Sequence, residues 1–84
     1  MKLLFAENAW EDYQYWQKTD KRVLNRINKL FKETKREPFE GVGKPEPLKH
    51  SLTSYWSRRI NEEHRMVYKV TDNALLIAQL RYHY

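Results

Sequence analysis

Residues 36–49 read REPFEGVGKPEPLK and hold all three prolines (38, 45, 47) and both glycines (41, 43) of an 84-residue chain. Proline has no N–H and a fixed φ, so no helix or interior strand runs through such a segment. It is a loop, and the hydrophobic period differs on its two sides. Before it, apolar residues recur every three or four positions; after it, they alternate. A helical half therefore precedes a strand half.

The helical half divides further. Residues 2–5 read as a short first strand. Trp10, Tyr13 and Trp16, with Ala9 alongside, give a helix over 7–17 with Glu7 in its first turn, where the helix dipole favours an anion. Ala6 is a poor cap for it. Asp20 can cap a second helix over 20–36, whose stripe is Val23, Leu24, Ile27, Leu30 and Phe31. Beyond the loop, residues 48–52, 55–61, 64–70 and 74–84 read as strands. Asn61-Glu62-Glu63 and Thr71-Asp72-Asn73 are the turns of a final meander. The expectation is one α+β domain over 1–84. Its order is β-α-α-β-β-β-β, a two-helix hairpin on one face of a small twisted, mainly antiparallel sheet.

Composition narrows the chemistry. The chain has no cysteine, and its three histidines (His50, His64, His83) have no zinc-ligand spacing. No metal or other cofactor is expected. The apolar run at 3–5 is too short for a signal peptide or a membrane span, so a cytoplasmic protein is expected. Net charge is +5. Between Lys18 and Arg36, eight basic residues face two acidic ones, a local excess of six. That surface suits phosphate or an acidic protein, and equally an ordinary solvated helix.

Strand alternation sorts the second half into faces. If no bulge intervenes, Ala74, Leu76, Ala78, Leu80 and Tyr82 face the helices. So do Met66, Tyr68, Val70, Trp56, Ile60, Leu48 and Leu52, with Arg58 at the margin. His64 and His50 share that inward parity and read as structural. Lys49, Arg59, Arg65 and His83 then share the open face, as does Arg81. Three permanent cations and an imidazole on one face repel each other unless an anion lies between them. Phosphodiester chemistry on RNA fits, because RNA carries its own nucleophile in the 2′-hydroxyl. A protein need only take that proton, stabilise the phosphorane and protonate the departing 5′-oxygen. Arginine forks match phosphate oxygens, His83 can serve as the acid, and Glu46, stiffened between two prolines, is the best-placed carboxylate base.

The segments GVGKPEPLKH, YWSRRINEEHRMVYKV and terminal RYHY, with WEDYQYWQKTDKRVLNRIN before them, resemble the YoeB toxins of the RelE/ParE superfamily over essentially the whole chain. Phe5 stands where close relatives are expected to carry Trp. The resemblance implies a RelE-like fold and a ribosome-dependent mRNA endonuclease, the toxin of a type II toxin–antitoxin pair. It implies that Glu46 is the general base, His83 the general acid and Arg65 the transition-state stabiliser. Lys49 and Arg59 would hold phosphate, and Tyr84 would position the substrate or the C-terminus. It also implies three kinds of partner: a cognate antitoxin, the ribosome with its mRNA, and a second copy in a homodimer. Two other readings stay open on the sequence: a superfamily toxin without nuclease activity, and a non-catalytic, basic nucleic-acid-binding or regulatory module.

Overall fold

In the computed structural model, residues 1–49 and 54–82 are described. β1 (Lys2–Phe5) leads into α1 (Glu7–Thr19) and α2 (Lys21–Arg36). Then come β2 (Glu46–Pro47), β3 (Tyr55–Arg59), β4 (Arg65–Val70) and β5 (Ala74–Gln79). Asp20 caps α2 as its position suggests, its carboxylate accepting the N–H groups of Arg22 and Val23. Ala6 gives α1 no side-chain cap. The five strands form one sheet in the order β1-β5-β4-β3-β2. All neighbours are antiparallel except β1 and β5, which run parallel. The expected α+β architecture is the one observed.

Both helices cover one face. Ile27, Leu30 and Phe31 of α2, with Ala9 and Trp16 of α1, meet Met66, Tyr68, Leu75, Ile77, Ile60 and Leu80 in a single buried cluster. Rings from β1 and both helices close one end, Phe5 packing edge-on against Trp10 at 5.4 Å and against Phe31 at 5.7 Å. Among the described residues no helix is long and apolar enough to cross a membrane.

Three strand assignments are corrected. On β5 the core residues are Leu75 and Ile77, whereas Leu76 is only partly buried and outside the cluster. The cause is a register shift. Tyr68 pairs with Ile77 but Val67 with Gln79, so Ala78 is an extra residue that inverts the alternation. Leu80 is core as expected, but only because it lies beyond the bulge. The sequence ALLIA is apolar on both parities, so alternation carried no information there. Second, β5 ends at Gln79, and Tyr82, expected in the core, is 58% exposed. Arg81 departs from the open face, its guanidinium lying 3.5 Å from the centre of the Tyr15 ring on α1.

The third correction is the edge strand. It was expected at 48–52 but is formed by Glu46 and Pro47. Proline fits here because β2 is the sheet's edge, where one side of the strand needs no donor. Leu48 is buried, yet apart from the cluster beneath the helices. His50 and Leu52 lie outside the described residues.

Candidate active site

Glu46 reaches the sheet through a loop that is organised from inside. Arg58 alternates inward with Trp56 and Ile60, and it is fully buried rather than marginal. Its guanidinium donates to the carbonyl oxygens of Val42 (2.9 Å), Glu40 (2.9 Å) and Glu37, and to the Tyr68 hydroxyl (3.3 Å). The Tyr68 hydroxyl donates in turn to the Pro38 carbonyl at 2.6 Å. Burial pushes the Tyr68 phenol up, with Arg58 pulling against it, so the hydroxyl stays protonated as a donor. A loop with little apolar material is thus wrapped around a cation. Gly41 and Gly43, at φ +105° and +87°, supply the left-handed turns this wrapping needs. The Arg59 N–H then donates to the Gly43 carbonyl at 2.7 Å, tying the loop end to β3.

This fixes Glu46 opposite Ser57 on the open face. The same face carries Arg59 on β3 and, directly across from it, Arg65 on β4. Arg65 Nη1 lies 3.5 Å from Glu46 Oε1, with its side chain 14% exposed and that of Glu46 53% exposed. Ser57 and Val67, both buried, floor the space between these longer groups. Arg59 is exposed and Lys49 is exposed three residues beyond Glu46. Two guanidiniums facing each other across a strand pair are unfavourable alone, and a carboxylate beside one of them offsets part of that repulsion. The arrangement is a carboxylate and two guanidinium forks on one open surface. His83 and Tyr84 lie outside the described residues, immediately after Tyr82. Among the described residues no three His, Asp or Glu side chains group closely enough to hold a metal ion.

A profile of the YoeB-like toxins of bacterial type II toxin–antitoxin systems matches residues 5–84. The chain belongs to the YoeB toxin family. It is 66% identical to the YoeB toxin of Escherichia coli K12 over the full length of both chains. A YoeB/ParE toxin structure from Agrobacterium tumefaciens superposes with a TM-score of 0.98 at 50% identity, each chain covered completely. The Staphylococcus aureus YoeB, solved as a dimer, superposes at a TM-score of 0.94 and 50% identity, covering 100% of this chain and 98% of that one. The same toxin in a YoeB–YefM complex gives 0.92 and 49% identity, with the same coverage. The RelE-like fold implied by the sequence motifs is therefore the fold of this YoeB-family toxin.

Sequence reasoning missed the residues that support this site. Arg58 had the right parity, but its charge argued against the interior. Asp12, Trp16 and Gln79 bind the main chain that follows β5, and nothing local marks them out. The basic excess of the 18–36 segment is largely exposed, except that Arg26 turns back to donate to the Ile60 and Arg59 carbonyls, both at 3.3 Å.

Proposed function

We propose that this YoeB-family toxin is a ribosome-dependent endoribonuclease that cuts mRNA in the A site and so stops translation. The observation that carries the reading is the placement of Glu46 3.5 Å from Arg65, with Arg59 opposite Arg65 on the same open face. Glu46 takes the proton of the 2′-hydroxyl, and the freed oxygen attacks the adjacent phosphorus. Arg65 and Arg59 neutralise charge as it builds on the phosphorane oxygens. His83 protonates the 5′-oxygen as the P–O5′ bond breaks, leaving a 2′,3′-cyclic phosphate and a 5′-hydroxyl. Lys49 and Arg59 hold the flanking phosphate and Tyr84 positions the nucleotide. The substrate supplies the nucleophile, so this route needs no metal-bound hydroxide.

The exposed cations of α2 suit ribosomal RNA, an interaction that weakens steeply with salt. The site of action is then the cytoplasm. A cognate antitoxin is the expected protein partner, by analogy with the YefM complex of the S. aureus relative. A homodimer is expected by analogy with the dimer of that relative. Exposed Leu4 and Trp10 offer apolar surface for such contacts.

The test is primer extension on mRNA held by purified ribosomes. Arg65→Ala and His83→Ala should each slow cleavage by about 10²–10⁴-fold. Cleavage at the wild-type rate by both variants would overturn the assignment.

A further inference from the structure

We propose that His64 is a positioning residue for the end of the chain, gripping the main chain of Tyr82, the residue that precedes His83. The inference rests on the nuclease reading above only where His83 is given a catalytic task.

The chain leaves the sheet after Gln79, and its backbone groups then lie outside the regular strand ladder. Five of the six main-chain groups of residues 80–82 find partners elsewhere. The Leu80 N–H donates to Asp12 Oδ2 at 3.0 Å, and Trp16 Nε1 donates to the Leu80 carbonyl at 2.9 Å. The Gln79 amide donates to the Arg81 carbonyl at 2.7 Å. At Tyr82 both main-chain groups are held by two consecutive residues of β4 and its preceding turn. The Tyr82 N–H donates to His64 Nδ1 at 2.8 Å, and the Arg65 N–H donates to the Tyr82 carbonyl at 3.1 Å.

Tyr82 also needs holding. Its φ is +66°, in the left-handed region that a side chain disfavours, and such a residue persists only where its surroundings over-determine it. Its own side chain is exposed and contributes little burial. These two hydrogen bonds, with a longer one of 3.4 Å from the Gln79 side-chain amide to the same carbonyl, are what fix it. His64 is itself rigid. It is 8% exposed, its ring meets Trp16 edge-on at 4.8 Å, and its main-chain N–H donates to Asn61 Oδ1 at 2.8 Å.

The direction of the bond specifies the imidazole. A backbone N–H can only donate, so Nδ1 must accept, and the ring is neutral with its proton on Nε2. The role is therefore that of an acceptor at a fixed point, not of a charge. The residue that grips Tyr82 through its side chain precedes Arg65, whose guanidinium faces Glu46. One dipeptide thus ties the tail to the phosphate-binding face.

The experiment compares wild type, His64→Leu, His64→Asn and His83→Ala in cleavage on ribosomes, alongside amide exchange at Tyr82. Asparagine places its side-chain oxygen close to where Nδ1 sits, while leucine keeps bulk without an acceptor. His64→Leu should lower kcat by about 10–100-fold with KM for the ribosome unchanged. His64→Asn should recover most of kcat. Exchange at the Tyr82 amide should speed up by about tenfold or more in His64→Leu and stay protected in His64→Asn. Wild-type kcat and Tyr82 protection in His64→Leu, or failure of His64→Asn to restore either, overturns the proposal. Full cleavage by His83→Ala would instead remove the catalytic task, while the exchange result still decides the grip.

Discussion

Replacing Arg58 with methionine keeps most of its volume and removes four hydrogen bonds to Tyr68, Val42, Glu40 and Glu37. The outer carbonyls, on exposed Glu37 and Glu40, can be rehydrated. The Val42 carbonyl lies deeper and would lose its Arg58 partner, and the buried Tyr68 hydroxyl would keep only its bond to the Pro38 carbonyl. Each buried group left unsatisfied costs about 1–3 kcal/mol. Relief of the buried charge returns part of this, because among the described residues no carboxylate forms an ion pair with Arg58. The net loss works out at about 3 kcal/mol. For a domain of this size that corresponds to a fall in Tm of about 12–24 °C. Thermal melts followed by circular dichroism, with urea midpoints as a second measure, test it. Arg58→Lys, which keeps the charge but offers one nitrogen, should fall between the two. A fall of less than about 4 °C for Arg58→Met would refute the idea that the loop is built around this cation.

Gly43→Ala should destabilise by about 1–3 kcal/mol, since the backbone sits at φ +87° and the new methyl would lie 3.1 Å from Arg58 Cβ and 3.2 Å from the Arg59 carbonyl. Gly41→Ala, whose nearest neighbour is at 4.0 Å, should cost less; equal losses in chemical denaturation would show that strain alone matters. Burial pushes the Asp12 carboxyl up, against the Leu80 N–H and Arg81, which pull it down. The folded state then favours the protonated form, so this contribution is fully present below the ordinary aspartate range and is lost as pH rises through the raised value. Asp12→Asn keeps an acceptor for Leu80 but does not titrate. The stability of wild type relative to Asp12→Asn should therefore decline as pH rises from below the ordinary aspartate range, about 3.9, toward neutrality. Parallel urea-denaturation curves across that range would contradict it.

The site was legible where alternation was clean. Arg65, Val67 and Lys69 alternate with Met66, Tyr68 and Val70, and that phase put Arg65 on the open face. The same held for Arg59 between buried Arg58 and Ile60. Glu46 stood out because prolines on both sides leave its backbone few conformations. Alternation failed on ALLIA, where both parities are apolar and a bulge decides which one the helices cover. It also failed for Arg58. A charge in the core is costly in isolation, and only the neighbouring loop supplies the carbonyls that make it tolerable.

The sequence by itself determined the order of elements, the hinge of the chain at residues 36–49 and the cap at Asp20. These are local matters: proline and glycine restrict one residue's dihedrals, and hydrophobic period reports one segment's buried side. Tertiary structure alone decided which face of β5 is buried, how Arg58 gathers the loop before Glu46, and how His64 and Arg65 take hold of Tyr82. The contacts of Arg58 and Tyr82 join hydrogen-bond partners 10 to 21 positions apart in the chain, and no local pattern encodes the meeting of such groups.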